Sequence, residues 1–97
     1  ISADGDAGLD FLVEKDNSAT TTEDVATMAD DTFITVTWFI DPDASKVFYS
    51  VNNAAPVGVA NTNLPDDEEL TVSFGIQNGE AAAKTMTIDY VVAAVER

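Results

Sequence analysis

Apolar and polar residues alternate with a period of two along much of this chain. Residues 33–40 read FITVTWFI, with Ile34, Val36, Trp38 and Ile40 on one face and Thr35 and Thr37 on the other. Residues 70–77 read LTVSFGIQ, placing Leu70, Val72, Phe74 and Ile76 together. Residues 85–92 read TMTIDYVV, placing Met86, Ile88, Tyr90 and Val92 together. Side chains of a strand point to opposite faces in turn, so this spacing, rich in β-branched and aromatic residues, predicts half-buried strands of an antiparallel sheet. Shorter strands are predicted at 9–14, 24–28, 46–51 and 56–60. Ala81-Ala82-Ala83 is too short to repay the cost of helix nucleation and reads as loop.

Turn chemistry separates these segments. Asp41-Pro42-Asp43-Ala44 stops the run after Ile40, because proline fixes φ and aspartate accepts hydrogen bonds from nearby amides. Asn52-Asn53 tolerates left-handed geometry, and residues 16–22 (DNSATTT) read as a polar turn. Leu64-Pro65-Asp66-Asp67-Glu68-Glu69 forms a charged lead-in to 70–77, and Asn78-Gly79 opens the link to 85–92. Short strands at this spacing, about seven in all, imply an all-β fold, an antiparallel sandwich or a barrel. The expected core is Phe11, Ile34, Val36, Trp38, Ile40, Val47, Tyr49, Leu70, Val72, Phe74, Ile76, Met86, Ile88 and Tyr90.

Length suits a single domain spanning 1–97. The chain opens on Ile1 rather than Met, as expected of a processed chain or of the C-terminal part of a longer one. Charge and missing residue types narrow the function. Eighteen acids against four bases give a net charge of −14, which repels nucleic-acid phosphates and anionic lipid surfaces. With no His and no Cys, imidazole bases, thiolate nucleophiles, disulfides and zinc-thiolate sites are excluded within this chain, and no cofactor is expected. Carboxylate chemistry and oxygen-bound metals are left.

Asp4, Asp6 and Asp10 are the strongest calcium candidates, although Gly5 interrupts the usual loop pattern and no distal Glu is correctly spaced. Asp41 with Asp43 suits a turn better than a metal, and Asp66-Asp67-Glu68-Glu69 reads as a solvated loop. Paired carboxylates suffice for glycoside hydrolysis, but no strand carries an acid-x-acid pair that would aim both into one cleft, so no enzyme activity is expected. Trp38 and Tyr49 share faces with aliphatic residues and fit the core, while also being the aromatics available for a glycan or a partner. Asp89 stands mid-strand, facing solvent, a neighbouring chain or a hydrogen-bonding loop. Phe33 and Phe39 lie opposite Trp38, so strand 33–40 is expected to be covered on both sides or joined to a partner.

Residues 35–52, TVTWFIDPDASKVFYSVN, resemble the strand–turn–strand of concanavalin-like (laminin G/lectin-like) jelly rolls, in which an aromatic-ended strand turns into an F-Y-x-N strand. Leu70-Thr71-Val72-Ser73-Phe74-Gly75-Ile76 and the closing Met86-Thr87-Ile88-Asp89-Tyr90-Val91-Val92 are similar to the last strands of such domains in structural proteins of tailed bacteriophages. The resemblance implies a lectin-like jelly roll, incomplete at its N-terminal side, serving in the virion as a capsid decoration protein, cement protein or fibre module. Its implied partners are capsid or other virion proteins and further copies of itself, with surface glycans as the lectin-like alternative. The acids and His that bind metals in plant lectins have no counterpart here, nor do the paired acids of jelly-roll glycosidases.

Overall fold

The computed structural model describes residues 8–73, 75, 81 and 83–95. The chain divides into two compact units, Ile1–Asp67 and Glu68–Arg97. Every strand among the described residues lies in the first: β1 Gly8–Lys15, β2 Ser18–Thr27, β3 Val36–Asp41, β4 Lys46–Val51 and β5 Val57–Ala60. β1 and β2 form a two-stranded antiparallel sheet, and β3, β4 and β5 a three-stranded antiparallel sheet in that order. The described residues contain no helix, and therefore none long and apolar enough to cross a membrane. The protein is all-β.

Local chemistry sets the hairpins. Asp16 and Asn17 both have positive φ (52° and 61°) between the paired Lys15 and Ser18, the mirror-image turn whose twist matches two-residue hairpins. At the β3–β4 turn, the Ala44 amide donates to Asp41 Oδ1 at 3.0 Å and the Ser45 amide to the Pro42 carbonyl. Asn52 and Asn53 again take positive φ, and the Ala54 amide closes that turn on the Val51 carbonyl. Asn52 also exchanges two bonds with Thr35: its amide donates to the Thr35 carbonyl and its Oδ1 accepts from the Thr35 amide. Aspartate and asparagine here do what glycine commonly does, because their short polar side chains tolerate the left-handed region.

Register places Val36, Trp38 and Ile40 of β3 opposite Val51, Tyr49 and Val47 of β4, and Val59 and Val57 of β5 opposite Val47 and Tyr49. One face of this sheet is thus aliphatic and aromatic throughout. It meets β1 through Phe11, whose ring stacks on Tyr49 at 4.8 Å between centroids. Phe11, Val13, Val47 and Tyr49 form the buried cluster, with Val25, Val51, Val59 and Leu64 packed against it.

Several expectations are corrected. Trp38 lies 52% exposed and Ile40 is also exposed, because among the described residues β3 is the edge of its sheet and the cluster is centred on β4. Ile34 and Val36 are half-buried. Residues 18–22, expected as turn, are the first half of β2: their threonines suit a ladder against β1, with an outer face in water. The described residues of 70–77 and 85–92 belong to no strand, and Leu70, Val72, Met86, Ile88 and Tyr90 are exposed rather than core. Alternation decides which face a side chain would take but not whether a ladder partner is present. Phe74 and Ile76 lie outside the described residues.

Truncating the stack should therefore cost far more than truncating the tryptophan. Phe11→Ala is expected to lose about 3–5 kcal/mol in urea unfolding, as for other buried aromatics. Trp38→Ala should lose less than half as much. Equal losses would show that Trp38 belongs to the core.

Candidate functional site

Strand β3 carries the exposed apolar surface. Its single ladder neighbour among the described residues is β4, so its outer edge is open. Trp38, Phe39 and Ile40 are all exposed although they point alternately to the two faces, and Phe33, just before the strand, is 65% exposed. On the Trp38 face the edge borders the buried cluster through Tyr49. On the other face Phe39 stacks on Phe48 at 5.1 Å with ring planes 15° apart. The Phe48 ring lies over Gly58: a Cβ there would stand 2.8 Å from Phe48 Cε1 and 2.9 Å from Lys46 Cδ. Glycine in β5 thus makes room for an aromatic pair that remains accessible. Consecutive large apolar side chains in water on both faces of an edge strand are costly, and such patches commonly serve association.

The other candidate residues fall elsewhere. Tyr49 is buried beneath Phe11 and presents its ring to the interior. Asp89 is exposed and belongs to the second unit. Asp4 and Asp6 lie outside the described residues. Among the described residues no group of three or more Asp, Glu, His or Cys converges on a common point.

Asp10 has a local structural role. Between the pairs Leu9↔Ala26 and Phe11↔Thr22 the register slips, so that Glu23, Asp24 and Val25 of β2 face Asp10 alone. Asp24 takes positive φ (53°) in this bulge, and its amide donates to Asp10 Oδ1 at 2.9 Å. Asp10 is buried. A carboxylate oxygen here accepts from an amide that the irregular ladder turns away from β1, in a part-buried bond.

The acidic lead-in is fastened as well. Lys15 Nζ bridges Asp66 Oδ1 at 2.6 Å and Asp67 Oδ1 at 2.8 Å, while Asn63 Nδ2 donates to Thr20 Oγ1 and Leu64 packs on the cluster. Residues 63–67 therefore run along the β1–β2 sheet, with the Asp66 and Asp67 side chains still largely in solvent. Hydrogen bonds to Asp66 and Asp67 raise the Lys15 pKa, and the Lys15 hydrogen bond and charge hold Asp66 below the ordinary carboxylate range. This clamp has no motif in the sequence. Its one signal there is the scarcity of bases: Lys15 is one of only four, so each has a surplus of acids to attract it.

No protein-family model, no curated protein and no solved structure matches this chain. The reading of the site therefore rests on its geometry and chemistry.

Two substitutions test these assignments. Asp10→Ala strands the Asp24 amide and should cost about 1–3 kcal/mol, whereas Asp10→Asn keeps an acceptor oxygen and should retain most stability. Calcium titration should leave the wild-type melting temperature unchanged. A calcium-dependent rise abolished equally by both substitutions would overturn the structural role. For the clamp, the depressed Asp66 pKa contributes stability above its ordinary value, lost as pH falls through the depressed one. The raised Lys15 pKa contributes stability below its ordinary value, lost as pH rises through the raised one. The gap in melting temperature between wild type and Lys15→Met should thus be widest from about pH 5 to pH 10, narrowing on both sides and in high salt. A gap independent of pH and salt would mean that Lys15 acts only through packing.

Proposed function

We propose that this chain is a non-enzymatic structural protein of a tailed-bacteriophage virion, a small β-sandwich that decorates or cements the capsid or forms part of a fibre. The observation that carries the assembly reading is β3, an open edge strand with Trp38, Phe39 and Ile40 exposed on both faces. The virion setting draws on the resemblance of residues 35–52 and 64–97 to lectin-like jelly rolls of such particles. In this reading residues 70–77 and 85–92 become strands in the assembled state, bringing the sandwich to about seven, as expected for this architecture. A net charge of −14 keeps free copies soluble, and salt or a less acidic partner screens it on the particle. Two antiparallel sheets joined through one small cluster support a domain that gains stability from its neighbours.

One observation favours a second reading. Trp38 is half exposed, and an exposed indole can stack on a sugar ring, so a lectin-like carbohydrate-binding module is the alternative. Antibody labelling and peptide mass spectrometry of particles banded from the source culture, together with a glycan array, separate the two. Virion assembly predicts that the chain bands with particles at a constant stoichiometry and gives no Trp38-dependent glycan signal. A chain that stays in the soluble fraction and binds a glycan, with binding lost in Trp38→Ala, would reverse the assignment.

A further inference from the structure

Residues 61–67 follow β5 without joining any ladder, yet they touch both sheets. The Asn61 amide donates to the Ser45 carbonyl at the β3–β4 turn at 3.3 Å, and the Leu64 amide donates back to the Asn61 carbonyl at 2.9 Å. Asn63 Nδ2 donates to Thr20 Oγ1 of β2 at 3.0 Å, and Lys15 at the end of β1 holds Asp66 and Asp67. Between these ties Leu64 rests on the cluster of Phe11, Val13, Val47 and Tyr49. The segment thus crosses from one sheet to the other over their shared core. Its fastening is weak at the far end: Leu64 is only half-buried, and the Asp66 and Asp67 side chains are 77% and 71% exposed. Ion pairs so open to water are weak and are screened by salt. Neighbouring charge also works against the segment. β1, β2 and their turn hold Asp10, Glu14, Asp16, Glu23 and Asp24, with Lys15 as the one base. A single cation therefore holds two carboxylates on a hairpin that otherwise repels them.

We propose that residues 61–67 are a salt-responsive strap. With Lys15 paired, the strap closes one flank of the cluster. When salt screens the pair, or Lys15 is removed, the strap lifts as a unit: Leu64 leaves the cluster while both sheets keep their ladders. Segments with few apolar contacts and solvated polar ones open at a lower free energy than the whole domain unfolds. The strap fits that description, with Leu64 as its apolar anchor and no ladder of its own. The Phe11–Tyr49 stack and the three strand pairings do not involve it, so they can outlast its release. Lifting bares apolar surface beside Phe11 and Val13, which gives the fold a conformational response to ionic strength. The inference stands apart from the virion reading and does not rest on it.

Amide hydrogen exchange of the whole chain, read by NMR at fixed pH across sub-denaturing urea, tests the strap. Urea is uncharged and leaves the ion pair unscreened. In wild type the Asn61 and Leu64 amides should exchange faster than the most protected β4 amides. Their urea dependence should be shallower, because a local opening exposes less surface. At low salt Lys15→Met should speed exchange at Asn61 and Leu64 about two- to five-fold, a ratio falling toward one in about 1 M sodium chloride. Lys15→Arg, which keeps the charge, should exchange as wild type does. Position 15 is far in sequence from both reporters, so their intrinsic exchange rates stay the same. Urea slopes at Asn61 and Leu64 equal to those of β4 would mean that the segment opens only with the whole unit. That result overturns the proposal, and wild type alone decides it whatever the variants do. Exchange in Lys15→Met that matches wild type, or exceeds it equally at all salt concentrations, also overturns it, since packing would then hold the segment.

Discussion

The stack of Phe11 on Tyr49 is the contact on which the first unit depends. Phe11 belongs to the two-stranded sheet and Tyr49 to the central strand of the three-stranded one, so the ring pair joins two sheets that share no ladder. Two strands alone are marginal in water, and three with one apolar face need something to cover it. Val13 and Val47 complete the buried cluster, and Leu64 reaches it from the segment that Lys15 holds in place. A core this small has little redundancy: disturbing the angle between β1 and β4 would loosen both sheets at once.

Much of the sheet was legible in the sequence because faces are written there. β4 occupies residues 46–51, as its alternation predicts, and β1 and β5 lie within one residue of their expected starts or ends. The turns were legible too, since Asp and Asn sit where the backbone turns left-handed. Partners are not written in the same way. Trp38 keeps company with aliphatic neighbours along its strand, but only sheet order reveals that β3 is an edge. The bulge opposite Asp10 was equally hidden, because an aspartate that accepts from a backbone amide fourteen residues away has no local signature. Asp10, a calcium candidate by its sequence neighbours, splints this irregular pairing through its Oδ1. Residues 18–22 were misread for the opposite reason: a strand with a solvated face resembles a loop in polarity, and only its run of β-branched threonines distinguishes it.

The electrostatics follow the same division between what composition reveals and what geometry assigns. Eighteen acids suggest a uniformly repulsive surface. The structure divides them into distinct roles: one splints a bulge, one ends β3 and caps its turn, two are clamped by Lys15, and others hold positive-φ turns. The apolar stretches are left nearly free of charge, with none in 33–40 and only Asp89 in 85–95.

Among the described residues seven non-glycine residues take positive φ, and all but Ser45 are Asp or Asn. Either residue reaches this conformation at low cost, and the two are nearly the same size. At Asp16 and Asp31, exchanging acid for amide alters the charge and leaves the backbone requirement satisfied. The shape of the turns is therefore separable from their ionisation. A lineage carrying this fold could move between saline and dilute surroundings by editing its corners, without rebuilding its sheets.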